Sequence, residues 1–343
     1  MTADRRHIDW STGGAAGAFG RYRPEDEQLH DPPPSPDPTV SETWLYMFYV
    51  PEARIGAWAY VWVHPNLDVL MSGLTVYQGH KRTHLEAELM DFRAYLPAAI
   101  VRDGGRGRDV RIPNGLEIAI VEPAERITLR YADADRGHAV DLLFTAVSPP
   151  IMRANDRHFD QVLWAEGELT LGGVTHQVRG HALRDRSWGE ARPEHRYPIP
   201  PFTWMTGTFP RSGIAWHLCA YDYPARAPDW LGRMAVPDPI VREGWIWRDG
   251  EMLRLRAASQ ITRRDPATLA PRTAEVLLVD SRGREYRIEG ETVACVPWSN
   301  WPTMSAQVAL ARWRMGDETG WGDLQEFQSP DYVRAMLAAP PAG

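Results

Sequence analysis

The chain has 343 residues, 43% hydrophobic and 24% charged, the balance of a globular protein long enough for two cores of ordinary size. Its formal charge of −7 comes from interspersed acids and bases rather than blocks, which argues against a nucleic-acid surface. Cys219 and Cys295, the only cysteines, are far apart without a ligand or redox spacing, so a disulfide framework, a zinc site and other metal centres are not expected.

The opening MTADRRHIDWSTGGAAGAFG is polar and has no apolar stretch ending in a small-residue cleavage site, and no later run approaches the roughly 18 apolar residues of a spanning helix. A cytoplasmic protein without stable membrane insertion is the expectation. Residues 1–30 read as an irregular arm. WLYMFYV (44–50), GAWAYVWVHP (56–65), DVLMSGLTVYQG (68–79) and RITLRYAD (126–133) read as strands, being short, aromatic or β-branched, and bounded by Pro, Gly or Asn. Glu42, Trp44, Tyr46 and Phe48 share one face of the first, where a carboxylate can orient a substrate hydroxyl or simply meet solvent. GHKRTH sets His80 and His84 four apart in strand-and-turn sequence, which does not suit a metal. GGRGRD and LGGVTH lack the strand and helix context of a dinucleotide loop and read as turns.

GELTLGGVTHQVRG alternates apolar and polar positions about Gly172-Gly173 and reads as a hairpin leading into GHALRDRSWGE, residues 180–190. On such a strand His181, Leu183 and Asp185 point one way, Ala182 and Arg184 the other. A histidine and a carboxylate on one face can share a proton, with burial raising and a nearby arginine lowering the carboxyl pKa. Equally, Asp185 can be a structural group at a strand end, paired with exposed Arg184 or Arg186.

EARPEHRYPIPP (190–201) interrupts the strand pattern with prolines and marks a joint. One β domain is therefore expected over 31–195 and another over 196–330, where FTWMTGTF, GIAWHLCAYDYP, EGWIWRDGEMLRLRA, TAEVLLVDSRGREYRIEGETVACV and MSAQVALARWRM repeat the aromatic strand texture. WRDGE and DSRGRE read as hairpin turns. His217, Cys219, Tyr221 and Tyr223 alternate with Trp216, Leu218 and Ala220, with Asp222 pointing away from the His217 row. The run from Trp44 to Pro65 echoes the run from Trp204 to Pro224, as two copies of one β unit or two similar aromatic hairpins. DYVRAMLAAP is the best helix candidate, within a tail at 331–343. The fold class expected is all-β, antiparallel barrels or sandwiches in tandem, whose 15 tryptophans either line an apolar pocket or fill ordinary cores.

RDRSWGE, after a glycine and before a proline-containing loop, resembles the Asp-basic-X-Trp-Gly signature of the AttH, carotenoid 1,2-hydratase and tocopherol-cyclase-like superfamily. It is most similar to an uncharacterised bacterial branch with an Arg-Asp-His-Ser-Trp-Gly motif, Arg186 standing where that form has His. ETWLYMFYVPE, VYQGHKR and GWGDLQEF extend the resemblance loosely over residues 40–328. It implies paired lipocalin-like domains and cofactor-free chemistry on a hydrophobic substrate. It also implies Asp185 as proton donor and Trp188 as cation or ring contact, with His217, Tyr221 and Asp222 as further acid/base candidates; His181, which has no counterpart in the signature, is a relay or base on the strength of sharing a strand face with Asp185. Arg184, Trp44, Tyr46, Trp204, Trp216 and Glu42 complete the expected substrate surroundings.

The leading functional expectation is a hydratase, dehydratase, isomerase or cyclase acting on a terpenoid, steroid or similar small molecule by general acid/base catalysis. A non-catalytic binder of such ligands and a hydrolase are the alternatives, though no oxyanion stabiliser is identifiable for the latter. No nucleic acid partner is expected, and exposed edge strands leave a homodimer open.

Overall fold

The computed structural model describes residues 8–9, 19–31, 37–191, 201–221, 241–301 and 304–338. Its residues divide into two compact units, one from Ala18–Gln78 and Leu85–Arg192, the other taking in Gly79–His84 and the chain from Pro193 onward.

The first unit is an antiparallel sheet that curls on itself. Its strands are β2 (Val40–Val50), β3 (Ile55–His64), β4 (Val69–Gln78), β5 (Leu89–Pro97), β6 (Asp109–Arg111), β7 (Glu117–Glu122), β8 (Arg126–Asp133), β9 (His138–Ala146), β10 (Ile151–Met152), β11 (His158–Leu171) and β12 (Val174–Ala191), with β1 (Ile8–Asp9) preceding them in the other unit. The order is β5-β4-β3-β2-β12-β11-β9-β8-β7-β6, with β10 on β11, so β2 joins its neighbour β3 to the unit's last strand. A short helix, α1 (Ala99–Asp103), follows β5. Gly172 and Gly173 turn the β11–β12 hairpin with φ of 54° and 83°, the backbone that a two-residue hairpin requires and that side chains oppose.

The second unit is a closed eight-stranded barrel of β13 (Phe202–Phe209), β14 (Ile214–Tyr221), β15 (Val241–Arg248), β16 (Glu251–Arg264), β17 (Pro271–Asp280), β18 (Glu285–Trp301), β19 (Met304–Met315) and β20 (Glu318–Gln328). Each strand pairs with its successor and β20 pairs back on β13, so no barrel edge is left open. Strand β1 adds outside, on β16. The helix α2 (Pro330–Ala338) follows, its Tyr332 and Met336, one turn apart, packed on Leu269. The two antiparallel β domains expected from the strand pattern are thus present, although β5, β7, β9 and β20 did not stand out as strands.

Alternation decides the interiors. Trp44, Tyr46 and Phe48 of β2 and Ala57, Ala59 and Val61 of β3 enter the first core, whereas Trp58, Tyr60 and Trp62 face away from it. In the barrel Met205, Phe209, Trp216, Leu218 and Trp313 point inward. The two hairpins of the sequence echo occupy the same topological place, because β2 and β13 each bridge the next strand and the last one of their unit. Their tryptophans do not correspond: Trp44 is a core residue, and Trp204 lies opposite Cys219, on the other face from Trp216.

The Trp216 and Trp313 rings meet edge to face at 5.0 Å, and they fit because small residues lie beside them. A Cβ on Gly207 would come 2.5 Å from the Trp216 indole nitrogen. Gly207→Ala is therefore expected to destabilise the protein by about 1–3 kcal/mol through overpacking. Urea unfolding followed by tryptophan fluorescence checks this.

Candidate active site

Strand β12 sorts the RDRSWGE motif onto two faces. Arg184 and Arg186 point to the core side with Ala182, while Leu183, Asp185 and Ser187 point the other way, beside Val162, Asp160 and His158 of β11. The two faces carry different chemistry.

On the core side, Arg184 is buried and grips Glu27 through two bonds, Nη1 to Oε2 at 2.8 Å and Nη2 to Oε1 at 2.6 Å, while its Nε donates to Gln161 Oε1 at 2.7 Å. Glu27 also accepts from the Tyr22 hydroxyl at 3.0 Å and the Ala124 amide at 3.0 Å. Burial pushes the Glu27 carboxyl up, but the charge and hydrogen bonds of Arg184 outweigh it and hold the group below the usual carboxylate range. Tyr46, buried on the same face, has its hydroxyl pushed up to about 12, chiefly by desolvation.

Arg186 makes a parallel set. Its Nη2 donates to Glu42 at 2.6 Å and to the Gln28 carbonyl at 2.7 Å, and Nη1 donates to the Ser187 carbonyl at 2.6 Å. The guanidinium lies 3.8 Å from the Trp44 ring centroid and 5.2 Å from that of Trp188, and His30 stacks on Trp188 at 4.6 Å. Trp44 Nε1 donates to the Glu27 carbonyl at 3.2 Å. Arg184, Glu42, Trp44 and Tyr46 are thus held in a buried lattice with residues 22–30, on the face opposite Asp185. Neither arginine is the exposed partner of Asp185 that one reading of the motif allowed.

On the other face, Asp185 hydrogen-bonds His158 Nε2 and lies directly across the ladder from fully buried Asp160. Carboxylates placed opposite each other repel. Arg153 offsets this, its Nη2 lying 3.6 Å from Asp160 and 3.9 Å from Asp185, and His158 Nε2 is 3.9 Å from Asp160. With His158 protonated, two carboxylates face two cations, and loss of that proton leaves one net negative charge. Side-chain exposures of 14% for His158 and 13% for Asp185 leave the pair open to proton exchange at its rim. The ligand atoms of His158, Asp160 and Asp185 lie within 4.8 Å of one another, a spacing compatible with a cation, but Arg153 already brings positive charge there.

His181 is not the histidine that meets Asp185. Four residues along a strand amount to about 13 Å. It sits instead edge to face with Trp164 at 5.4 Å, where burial lowers its pKa. His158 and Asp160 share a face of one strand, and this signal in RHFDQV was readable had β11 been extended back to residue 158. Arg153 precedes that strand, and Glu27 sits in the short helical turn Pro24–Glu27, with no local cue that it is buried.

In the barrel unit His217 is fully buried, its Nδ1 donating to the Met205 carbonyl at 3.0 Å, with the Trp204 and Trp245 rings at 4.9 and 5.9 Å. Tyr221 packs beside Phe202, and Arg242 lies over both rings. Trp216 belongs to the barrel interior, and Asp222 lies outside the described residues. Asp185 with His158 and Asp160 belongs to the first unit, and His217 with Trp204 and Trp245 to the second.

The family described as "Domain of unknown function (DUF7064)" matches residues 23–330. No curated protein matches. Among solved structures, the fold is similar to that of a candidate AttH protein of Nitrosomonas europaea, with TM-score 0.57, 12% identity, and 94% of this chain and 99% of that chain covered. Kievitone hydratase of Nectria haematococca matches with TM-score 0.50 and 11% identity over 92% of this chain and 95% of its own. CghA matches with TM-score 0.55 and 11% identity over 86% and 89%. At these identities the likeness is one of fold, and it establishes the lipocalin-like architecture that the motif implied.

The two faces of β12 make different demands on stability. Glu27→Gln leaves Arg184 buried without its counter-charge and is expected to cost about 3–5 kcal/mol at neutral pH. Because the folded carboxyl titrates below its unfolded value of roughly 4.3, the pair's contribution is present above that pH and is lost as pH falls through the folded value. Chemical unfolding between neutral pH and pH ~3 should show the variant losing less stability on acidification than wild type.

Proposed function

We propose, for a chain that belongs to the DUF7064 family, a cofactor-independent enzyme of the hydratase, dehydratase, isomerase or cyclase kind, acting on a largely apolar small molecule. The observation that carries this reading is the face of the first unit's sheet on which Asp185 lies. In register across β12, β2 and β3, Leu183 is beside Met47 and Trp58, Asp185 beside Leu45 and Tyr60, and Ser187 beside Thr43 and Trp62. An acid/base cluster thus borders a buried aromatic and aliphatic patch. Such a surface binds an apolar substrate and faces developing positive charge with electron-rich rings.

In the hydration direction, Asp185 in its protonated form gives its proton to an alkene carbon, whose π electrons form the new C–H bond. The neighbouring carbon becomes cationic. Water adds through oxygen, and the proton it sheds returns to the carboxylate through His158. Dehydration is the reverse, while loss of a different proton to the carboxylate gives an isomer; capture by a second alkene closes a ring and moves the cation onto it, where loss of a proton to the carboxylate ends the reaction. Asp160 and Arg153 act as positioning groups, fixing the charge against which the His158 proton moves. The likeness in fold to kievitone hydratase supports water addition as the first reaction to test. Terpenoids and steroids are the substrate classes proposed on their apolarity, and the cytoplasm is the proposed location. Of the described helices none is long and apolar enough to cross a membrane.

The test is native mass spectrometry of wild type and Asp185→Asn after incubation with a lipophilic cell extract. Wild type is expected to convert a captured molecule to a product differing by one water, or to an isomer. The variant should retain the same molecule, with turnover lowered by about 10²–10⁴. Unchanged capture by both proteins would instead establish a binding protein and make Asp185 structural.

A further inference from the structure

Water addition needs a water molecule held beside the acid, and the face of the first unit's sheet that carries Asp185 also carries two hydroxyls in line with it. Ser187 lies directly across the ladder from His158 on β11 and from Thr43 on β2. Its Oγ is 2.7 Å from Thr43 Oγ1. Asp185 faces Leu45, two residues along β2, so Asp185 and Thr43 are diagonal neighbours. Trp62 and Tyr60 of β3 flank Thr43 and Leu45 in turn.

Among the described residues the Thr43 hydroxyl bonds to Ser187 and to no other group. Whichever of the two donates that bond, Thr43 has hydrogen-bonding capacity left: its own O–H if Ser187 donates, both lone pairs if it donates itself. At 3% exposure such capacity is costly unless a water or ligand group takes it up. Diagonal neighbours stand about 7–8 Å apart at Cα and closer at their tips, a gap that one water spans with two bonds of ~2.8 Å. Because a hydroxyl is neutral, it can hold that water without setting a charge against a substrate cation.

We propose that Thr43 positions the water that adds to the substrate cation, and so sets the balance between hydration and isomerisation; this rests on the acid/base reading of Asp185. The water's lone pair forms the C–O bond, one of its O–H bonds breaks, and the proton passes through His158 to the Asp185 carboxylate, restoring the acid. Without a held water, the cation instead loses a proton from a neighbouring carbon to the same carboxylate and leaves as an isomer.

Two measurements on wild type and the near-isosteric Thr43→Val test this. High-resolution crystal structures should show an ordered water about 3.2 Å or less from Thr43 Oγ1 in wild type, and none there in the variant, with the Asp185–His158 pair unmoved. In water labelled with ¹⁸O, with the lipophilic cell extract, wild type should give a labelled hydrated product. Thr43→Val should consume the same molecule with the ratio of hydrated to isomerised product lowered at least about tenfold, the worth of one hydrogen bond. Thr43→Ser, which keeps the hydroxyl, should restore the ratio, a recovery that a merely structural role would not give, whereas Asp185→Asn should lose both products. No ordered water on Thr43 in wild type, or an unchanged ratio in Thr43→Val, overturns the proposal. If wild type forms no product at all, the acid/base reading fails and the catalytic role of Thr43 with it, whatever the crystals show of the water.

Discussion

The buried grip of Arg184 on Glu27 is the interaction on which the first unit's arrangement rests. A guanidinium and a carboxylate removed from water repay their desolvation only when geometry and additional bonds are nearly complete. Here two parallel contacts join them, Gln161 takes the remaining Arg184 Nε, and Tyr22 and Ala124 complete the carboxylate. Satisfying that set fixes residues 22–27 against the sheet. Arg186 then extends the tie to Gln28 and Glu42. A segment with little apolar surface of its own is thereby held by polar contacts to the strand that carries the motif.

The same strand geometry frees the opposite face for chemistry. Because alternate side chains leave β12 on opposite sides, fixing Arg184 and Arg186 inward aims Asp185 outward, and the β11 ladder puts Asp160 across from it and His158 within reach. Each face also needs the other's separation. Were the arginines on the Asp185 side, their charges would hold its carboxyl ionised, with no proton to give; the cluster has instead one histidine and one more distant guanidinium. A proton can then move with modest redistribution of charge, which acid/base work on an unactivated carbon requires.

Much of this was legible before the fold was known, because it depends on local rules. The Gly172-Gly173 turn, the alternation through residues 181–185, and the strands at 44–50 and 126–133 follow from turn chemistry and pleat. Contacts that span the sequence were not. Glu27 reaches Arg184 across 157 positions, and nothing near PEDE indicates burial. Strand β20, ETGWGDLQEFQ, reads as polar, yet most of it is buried, with Glu326 neutralised by Arg264 from β16. His181 drew notice as the nearest histidine in sequence, whereas antiparallel pairing made His158 the nearest in space. In a sheet, proximity follows register, and register is a property of two strands.

The central claim, that Asp185 and His158 form the proton-sharing pair on the outer face of β12, is tested most directly by proton NMR of protein carrying ¹⁵N-labelled histidine. The account predicts a downfield ring N–H resonance, assigned to His158 Nε2, that persists in His181→Gln and disappears in Asp185→Asn. If that resonance is unchanged by Asp185→Asn, or is lost only with His181, the pair is not the proton-sharing unit and the proposed acid/base site is in the wrong place.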